Sequence, residues 1–136
     1  MAELQHILVI EDEDALSQAL IDTLTQEGYR VTAAADGEEG LKIALEQHPD
    51  LIILDVLMPH LGGMEVRASL RQDPWGQNVP IIVLTNVANI EQVPEVANDP
   101  QVEIMAKSDS SLESVISHIK GTFDRQEPQQ PSAPVL

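Results

Sequence analysis

The sequence predicts one α/β domain in which five parallel strands form a sheet with helices on both faces. Strand and helix patterns alternate five times along the chain, which is typical of parallel sheets with helical crossovers. Three of the strand segments are short and wholly apolar, as expected for strands that are buried on both faces. The length of 136 residues suits one core and is too short for two.

The first strand and the first helix are predicted near the start of the chain. Residues 7–10 form an apolar run that is too short for a helix and that stops at the acidic residues Glu11 and Asp12. Leucines then recur at helical spacing, and a glycine follows where a helix would end. We therefore predict a buried strand followed by an amphipathic helix that ends near Gly28.

The next segments repeat this order of strand and helix. Residues 29–33 alternate between apolar and polar side chains, as in a short second strand. A turn at Asp36 precedes a second helical pattern that ends near Pro49. Residues 51–54 are again purely apolar and are followed by Asp55, so the pattern of the first strand is repeated.

The apolar residues Met64, Ala68 and Leu70 predict a third helix, which ends before Asp73-Pro74. Trp75 follows in a loop segment. We interpret this ring as a packing element and not as a binding platform, because aromatic side chains most often serve the protein interior.

The last two strands are predicted at residues 81–84, which end on Thr85, and at residues 102–106, which end on Lys107. The region between them gives a weak helical pattern. Pro94 lies within it and should break or shorten any helix there, because proline lacks the backbone N–H donor.

The final helix is marked by Ser110 and Glu113, which have the spacing of a capping box, and by apolar residues on one face as far as Phe123. The chain then becomes rich in proline and glutamine. We predict a folded domain over residues 1–124 and a disordered tail, or the start of a linker, over residues 125–136.

Composition limits the classes of partner and the compartment. The formal net charge of −16 argues against direct binding to nucleic acid or to anionic membranes, because both need clustered Lys and Arg. The absence of cysteine excludes disulfides and thiol chemistry. The chain begins without a basic leader or a long hydrophobic segment, so we expect a cytoplasmic protein.

Polar residues stand at or just past the ends of four predicted strands: Glu11 and Asp12, Asp55, Thr85 and Lys107. Each of them alone is more often a turn, a cap or a surface residue than a functional group. The carboxyl ends of parallel strands meet at one edge of a sheet, however, and ligands bind there. We therefore predict that these five residues converge in one crevice.

The chemistry of this set points to phosphoryl transfer assisted by a hard cation. Crowded carboxylates repel each other unless a proton or a cation lies between them, and a site with few protein oxygen ligands suits Mg²⁺. Asp55 is placed to act as a nucleophile beside the metal. Lys107 would then neutralise phosphoryl oxygens and the Thr85 hydroxyl would donate a hydrogen bond to the bound group. The four histidines are scattered without metal-ligand spacing.

These residues make the chain resemble the receiver domain of two-component response regulators from about residue 5 to residue 123. The resemblance is carried by the strand at 7–10 with the acidic pair after it, the stretch from 49 to 55, and Lys107, together with Met58-Pro59, Gly63 and Leu84-Thr85. It implies a flavodoxin-like, doubly wound fold with the strand order 2-1-3-4-5.

The resemblance also implies the roles of the site residues. Asp55 would accept a phosphoryl group from a histidine kinase or a phosphotransfer protein, and Mg²⁺ would be held by Glu11, Asp12, Asp55 and the main-chain carbonyl of Leu57. Thr85 and Lys107 would bind the phosphoryl oxygens. The chain would be a switch for protein contacts and not a turnover enzyme, with at most slow self-phosphorylation and self-dephosphorylation. A phosphorylation-dependent homodimer is left open.

The chain departs from the family pattern mainly where the signal would emerge. Ile104 stands where the family usually has Tyr or Phe, and Ser108 stands where a proline with a cis peptide bond is usual. A trans bond or a strained one is expected at Ser108, because a cis bond before a residue other than proline costs about 3 kcal/mol. The missing aromatic at Ile104 and the disturbance of the fourth helix by Pro94 favour one alternative, a pseudo-receiver that acts as a constitutive scaffold, whereas the intact five-residue pocket opposes it.

A second alternative is a phosphatase or hydrolase with an aspartyl-phosphate intermediate. Leu57 argues against it, since such enzymes carry a general acid two residues after the nucleophile, and no cap segment is inserted in the chain.

Overall fold

The computed structural model describes residues 4–55, 62–85, 99–107 and 111–126. Five strands and four helices lie within these ranges: β1 (His6–Ile10), α1 (Asp14–Gln26), β2 (Arg30–Ala34), α2 (Gly37–Gln47), β3 (Leu51–Leu54), α3 (Gly63–Arg71), β4 (Ile81–Thr85), β5 (Val102–Ala106) and α4 (Leu112–Gln126). Every predicted strand is present.

The five strands form one parallel sheet in the order β2-β1-β3-β4-β5, which confirms the predicted fold class and strand order. Both β2 and β3 pair with β1, on its two opposite sides, so the strand order reverses at β1. The register places Ile10 opposite Leu54, and Thr85 opposite Ala106. The residues that directly follow β1 and β3 therefore start at the same level of the sheet.

Alternate residues of the central strands supply two separate cores. In β1, Ile7 and Val9 face one side, and Leu8 and Ile10 face the other. The first side is covered by apolar residues of α1 and α4, and the second by those of α2 and α3. Burial on both faces explains why β1, β3 and β4 are continuous apolar runs in the sequence.

Local signals fix several helix ends as predicted. Asp36 caps α2 by accepting a hydrogen bond of 2.8 Å from the backbone N–H of Glu39. Gly28 follows α1 with a φ of 97°, a left-handed conformation that favours glycine. The predicted packing role of Trp75 is confirmed: its ring packs against the core on the α2 and α3 side and stacks on His48 with centroids 4.5 Å apart.

The structure bears on two details of the helix predictions. The predicted cap residue Ser110 lies outside the described residues, and the hydroxyl of Ser111 accepts a hydrogen bond of 3.1 Å from the backbone N–H of Ser114 at the start of α4. In α3 the buried side chain is Val66 and Ala68 is exposed, because the helix is rotated so that Val66 and Leu70 face the sheet. Apolar spacing alone could not fix this rotation over nine residues.

Some predictions lie outside the described residues. These are the main-chain carbonyl of Leu57, the peptide bond of Ser108, and the helix disturbed by Pro94. The helix α4 continues to Gln126, and residues 127–136 of the predicted tail are likewise outside the description. Among the helices that are described, none combines the length and the apolar character needed to cross a bilayer.

Candidate functional site

The sheet itself positions the predicted site residues at its carboxyl edge. Glu11 directly follows β1 and Asp55 directly follows β3. Their backbone N–H groups continue the parallel ladder, since Glu11 donates to the carbonyl of Ala34 at 3.1 Å and Asp55 donates to that of Ile10 at 3.2 Å. These hydrogen bonds fix the backbones of Glu11 and Asp55 to the neighbouring strands. The two side chains therefore start from adjacent strands at the same edge of the sheet.

Three carboxylates meet at this edge. Glu11, Asp12 and Asp55 each place a carboxylate oxygen within 4.8 Å of the others. Glu11 and Asp55 are buried, whereas Asp12 is exposed. Burial raises the pKa of Glu11, and the charge of Asp55 acts in the same direction. The backbone N–H of Glu13 and the ammonium of Lys107 oppose this rise in pKa.

Lys107, which directly follows the edge strand β5, contacts two of these carboxylates. Its Nζ donates to Asp55 Oδ2 at 3.1 Å and lies 3.2 Å from the carboxylate of Glu11. Burial lowers the pKa of Lys107, but the hydrogen bond to Asp55 and the charges of Glu11 and Asp55 outweigh burial, so its pKa is raised. The side chain is therefore a fixed cation at neutral pH, and it is held within the site instead of being a solvated surface charge.

Thr85 completes the set at the end of β4. It is fully buried, and its Oγ1 has no hydrogen-bond partner among the described residues. A buried hydroxyl without a partner is costly and uncommon in folded proteins. This orphaned donor is what a site for an oxygen-rich ligand, such as a phosphoryl group, would require.

The donor set fits a magnesium ion. All three acidic groups offer hard oxygen ligands, and the exposure of Asp12 leaves room for water on the solvent side. A divalent cation would also relieve the repulsion between the carboxylates, which the single charge of Lys107 offsets only in part. The predicted fourth ligand, the carbonyl of Leu57, lies outside the described residues.

One residue at the site was not predicted from the sequence. Glu13 places Oε1 at 3.9 Å from Lys107 Nζ, and its backbone N–H donates to Glu11 Oε2 at 3.0 Å. In the sequence it is one of four consecutive acidic residues, and nothing distinguishes it from Asp14. Only the position of Lys107, which is contributed by a distant strand, distinguishes the two.

The described histidines have structural partners away from this edge. His6 Nε2 lies 2.7 Å from Thr32 Oγ1 between β1 and β2, and burial together with Arg30 lowers the pKa of His6. His48 stacks on Trp75, as described above, and His118 pairs with Glu103.

The fold and this site define a class of protein: a doubly wound α/β domain with an acidic pocket, a buried hydroxyl and a paired lysine at the carboxyl edge of its sheet. Comparison with known families gives the family itself. The model of the response regulator receiver domain matches residues 7–119, so the chain belongs to this family. Receiver domains are signalling switches of two-component systems that bind Mg²⁺ at an acidic site and interact with histidine kinases or phosphotransfer proteins.

Individual relatives agree with the family. The chain is 49% identical over 79 residues to the transcriptional regulatory protein AfsQ1 of Streptomyces coelicolor, covering 58% of this chain and 34% of that protein. It is 33% identical over 132 residues to the response regulator MprA of a Mycobacterium species, covering 96% of this chain and 56% of that protein. The chain thus spans between one third and just over one half of these relatives.

A solved structure shows the same architecture. The response regulator TrrA of Thermotoga maritima, in complex with Mg²⁺ and BeF, is similar with a TM-score of 0.75 and 31% identity. The match covers 88% of this chain and 99% of that one.

Proposed function

We propose that the chain is a phosphoacceptor switch in which Asp55 receives a phosphoryl group from the phosphohistidine of a kinase or phosphotransfer protein. The observation that carries this proposal is the contact of 3.1 Å between Lys107 Nζ and Asp55 Oδ2 at the edge where three carboxylates meet. The contact places a positive charge beside the carboxylate of Asp55, and a carboxylate can act as the nucleophile in phosphoryl transfer.

In the proposed reaction, an oxygen of Asp55 attacks the phosphorus, and the bond from phosphorus to the donor nitrogen breaks. Glu11, Asp12 and Asp55 would hold Mg²⁺, together with the carbonyl of Leu57. When bound, the ion supplies charge neutralisation for the phosphoryl oxygens. Burial of Asp55 keeps bulk water away from the nucleophile, so that the carboxylate is presented with its charge little screened.

Lys107 and Thr85 would then stabilise the transferred group. Lys107 already contacts Asp55 and needs little movement to contact a phosphoryl oxygen on that residue. The Thr85 hydroxyl, which has no partner among the described residues, would donate to another phosphoryl oxygen. A change at Thr85 would act directly on β4 and on its neighbour β5, through the pairing of Thr85 with Ala106.

The output would be a protein contact. The net charge of −16 disfavours direct binding of this chain to nucleic acid, even though AfsQ1 is a transcriptional regulator that is longer than the matched region. The partners proposed for this chain are a sensor histidine kinase or phosphotransfer protein, a downstream protein, and a second copy of the chain in a phosphorylation-dependent homodimer. A cytoplasmic location fits these partners.

One observation favours the alternative of a pseudo-receiver. Ile104 lies on β5 with 36% of its surface exposed, where the resemblance to the family leads one to expect an aromatic ring that rotates on activation. A branched aliphatic side chain cannot perform that rotation. If the signal were not relayed, the chain would be a constitutive scaffold with an intact pocket.

Intact-mass spectrometry after incubation with Mg²⁺ and acetyl phosphate tests the proposal. We expect a mass gain of one phosphoryl group in the wild type and in Asp22→Asn, an exposed control on α1, and no gain in Asp55→Asn. No gain in the wild type would contradict phosphoacceptance. A gain without any change in the amide NMR shifts of β4 and β5 would favour the scaffold.

A further inference from the structure

Glu13 is an exposed acidic residue at the edge of the site, and within the part of the chain that the structure describes its side chain makes no hydrogen bond that supports the fold. It occupies the N-cap position of α1, yet its side chain makes no capping hydrogen bond. The side chain is 61% exposed, and Lys107 is its ion-pair partner among the described residues. A glutamate side chain that makes no capping hydrogen bond and is mostly exposed contributes little to the stability of the fold.

The backbone of Glu13 fixes where this carboxylate lies. Its N–H donates to Glu11 Oε2 at 3.0 Å, and its carbonyl accepts from the N–H of Ser17 at 2.9 Å, within α1. The backbone of Glu13 is thus anchored between the buried acid and the first turn of the helix. From there the side chain reaches to 3.9 Å from Lys107 Nζ, on the solvent side of the pocket.

The carboxylate of Glu13 changes the net charge of the site. If Mg²⁺ is bound, its charge and that of Lys107 balance the three carboxylates of Glu11, Asp12 and Asp55. The carboxylate of Glu13 then leaves the site with one excess negative charge. This charge lies 3.9 Å from Lys107 Nζ, which itself contacts Asp55, so it acts at short range on a phosphodonor that approaches Asp55.

We propose that Glu13 is a specificity-determining residue that selects against small dianionic phosphodonors in favour of donors with less negative charge. This inference rests on the proposed phosphorylation of Asp55. The repulsion acts through space on the incoming donor, and Glu13 takes no part in bond making. Because it is exposed, its effect depends on ionic strength, unlike that of the buried carboxylates.

Two small donors differ in charge while transferring the same group. Acetyl phosphate is a dianion at neutral pH. Asp55 attacks its phosphorus, the bond from phosphorus to the bridging oxygen breaks, and acetate leaves with the electron pair. Phosphoramidate carries an ammonium nitrogen and is a monoanion. Its bond from phosphorus to nitrogen breaks, and ammonia leaves with the electron pair.

The experiment compares phosphorylation rate constants of the wild type and Glu13→Gln with both donors at saturating Mg²⁺. At low ionic strength we expect the substitution to raise the rate constant with acetyl phosphate by about three- to tenfold. The factor for phosphoramidate should be about the square root of that value, since the Coulomb energy is proportional to the product of the charges. High salt should reduce both factors.

A binding measurement avoids the chemical step. Titration of the Mg²⁺-loaded protein with beryllium fluoride, a monoanion, should show tighter binding to Glu13→Gln by about the same factor as for phosphoramidate. Glu46→Gln is the matched control. It removes one negative charge from the exposed end of α2, near the opposite edge of the sheet, and should leave both donors and the titration unchanged.

The outcomes separate this inference from the proposed function. If the wild type is not phosphorylated by either donor, the proposed function fails. If Asp55 is phosphorylated but Glu13→Gln leaves the ratio of the two rate constants unchanged, or lowers the rate with acetyl phosphate, Glu13 has no selective role and the inference is overturned. An equal change in Glu46→Gln would also overturn it, because net charge would then be the cause.

Discussion

The ammonium of Lys107 lies 3.1 Å from Asp55 Oδ2, although the two residues are 52 positions apart in the chain. The same ammonium reaches Glu11, which is 96 positions away. One side chain that directly follows the edge strand β5 therefore pairs with acids that follow the two inner strands β1 and β3. The contact therefore holds the metal-free site together. We expect two testable consequences at this site and two elsewhere in the fold.

Lys107→Met should destabilise the metal-free protein by about 1–3 kcal/mol, because it leaves the buried carboxylates of Glu11 and Asp55 without their cation. Added Mg²⁺ should restore part of this loss by taking the place of the ammonium. Urea unfolding with and without Mg²⁺ measures both effects. Lys42→Met, at an exposed position of α2, is the control and should change stability little. Equal losses in the two variants would contradict the prediction.

Thr85→Val should leave the free protein as stable as the wild type or more stable by up to about 1 kcal/mol, since it replaces a buried hydroxyl that has no partner. The same change should weaken the binding of beryllium fluoride. The matched control is Thr122→Val, which removes a satisfied hydroxyl that donates to the carbonyl of His118 at 2.9 Å. Thermal unfolding should show that variant destabilised, and a loss of stability in Thr85→Val would refute the argument.

Asp99 anchors the start of β5 to α3, where it accepts hydrogen bonds from Arg71 at 2.8 Å and Arg67 at 3.0 Å. Burial raises the pKa of Asp99, but the two guanidinium groups and the N–H of Gln101 outweigh it and lower the pKa below the ordinary value of 3.8. The stabilisation by the ionised form is therefore present above that value and is lost as the pH falls through the lowered pKa.

We thus expect Asp99→Asn to cost about 1–3 kcal/mol at neutral pH. The difference from the wild type should shrink as the pH falls below 3.8. Denaturant unfolding across this pH range measures the difference. Asp124→Asn, an exposed acid on α4, should show no such trend. A cost for Asp99→Asn that is independent of pH would contradict the assigned pKa direction.

Two helical glycines should respond in opposite ways to the same substitution. At Gly40 of α2, a Cβ would overlap the side chain of Ile10, which is fully buried, so Gly40→Ala should destabilise the protein by about 1–3 kcal/mol. At Gly121 of α4, the nearest atom to a Cβ is 3.5 Å away, on Arg125. Gly121→Ala should therefore stabilise the protein by about 0.5–1 kcal/mol. Chemical denaturation measures both, and shifts of the same sign would contradict the packing argument.

The sequence by itself determined the order of the elements and the edge at which the site lies. Strands that are buried on both faces are apolar throughout, so residues 7–10, 51–54 and 81–84 could be identified as strands from the sequence alone. Each apolar run ends where the chain leaves the core at the carboxyl edge of the sheet. Polar residues at that edge are therefore candidates for the site. This is why Glu11 and Asp55 could be selected from 23 acidic residues.

Only the tertiary structure decided which of these groups touch. The distance from Lys107 to Asp55, the role of Glu13 and the missing partner of Thr85 depend on the register and the twist of strands that are far apart in the chain. The Arg71 to Asp99 pair has no local signal either, since it joins residues 28 positions apart. Periodicity is a property of neighbours along the chain, whereas charge pairing and hydrogen bonding depend on neighbours in space.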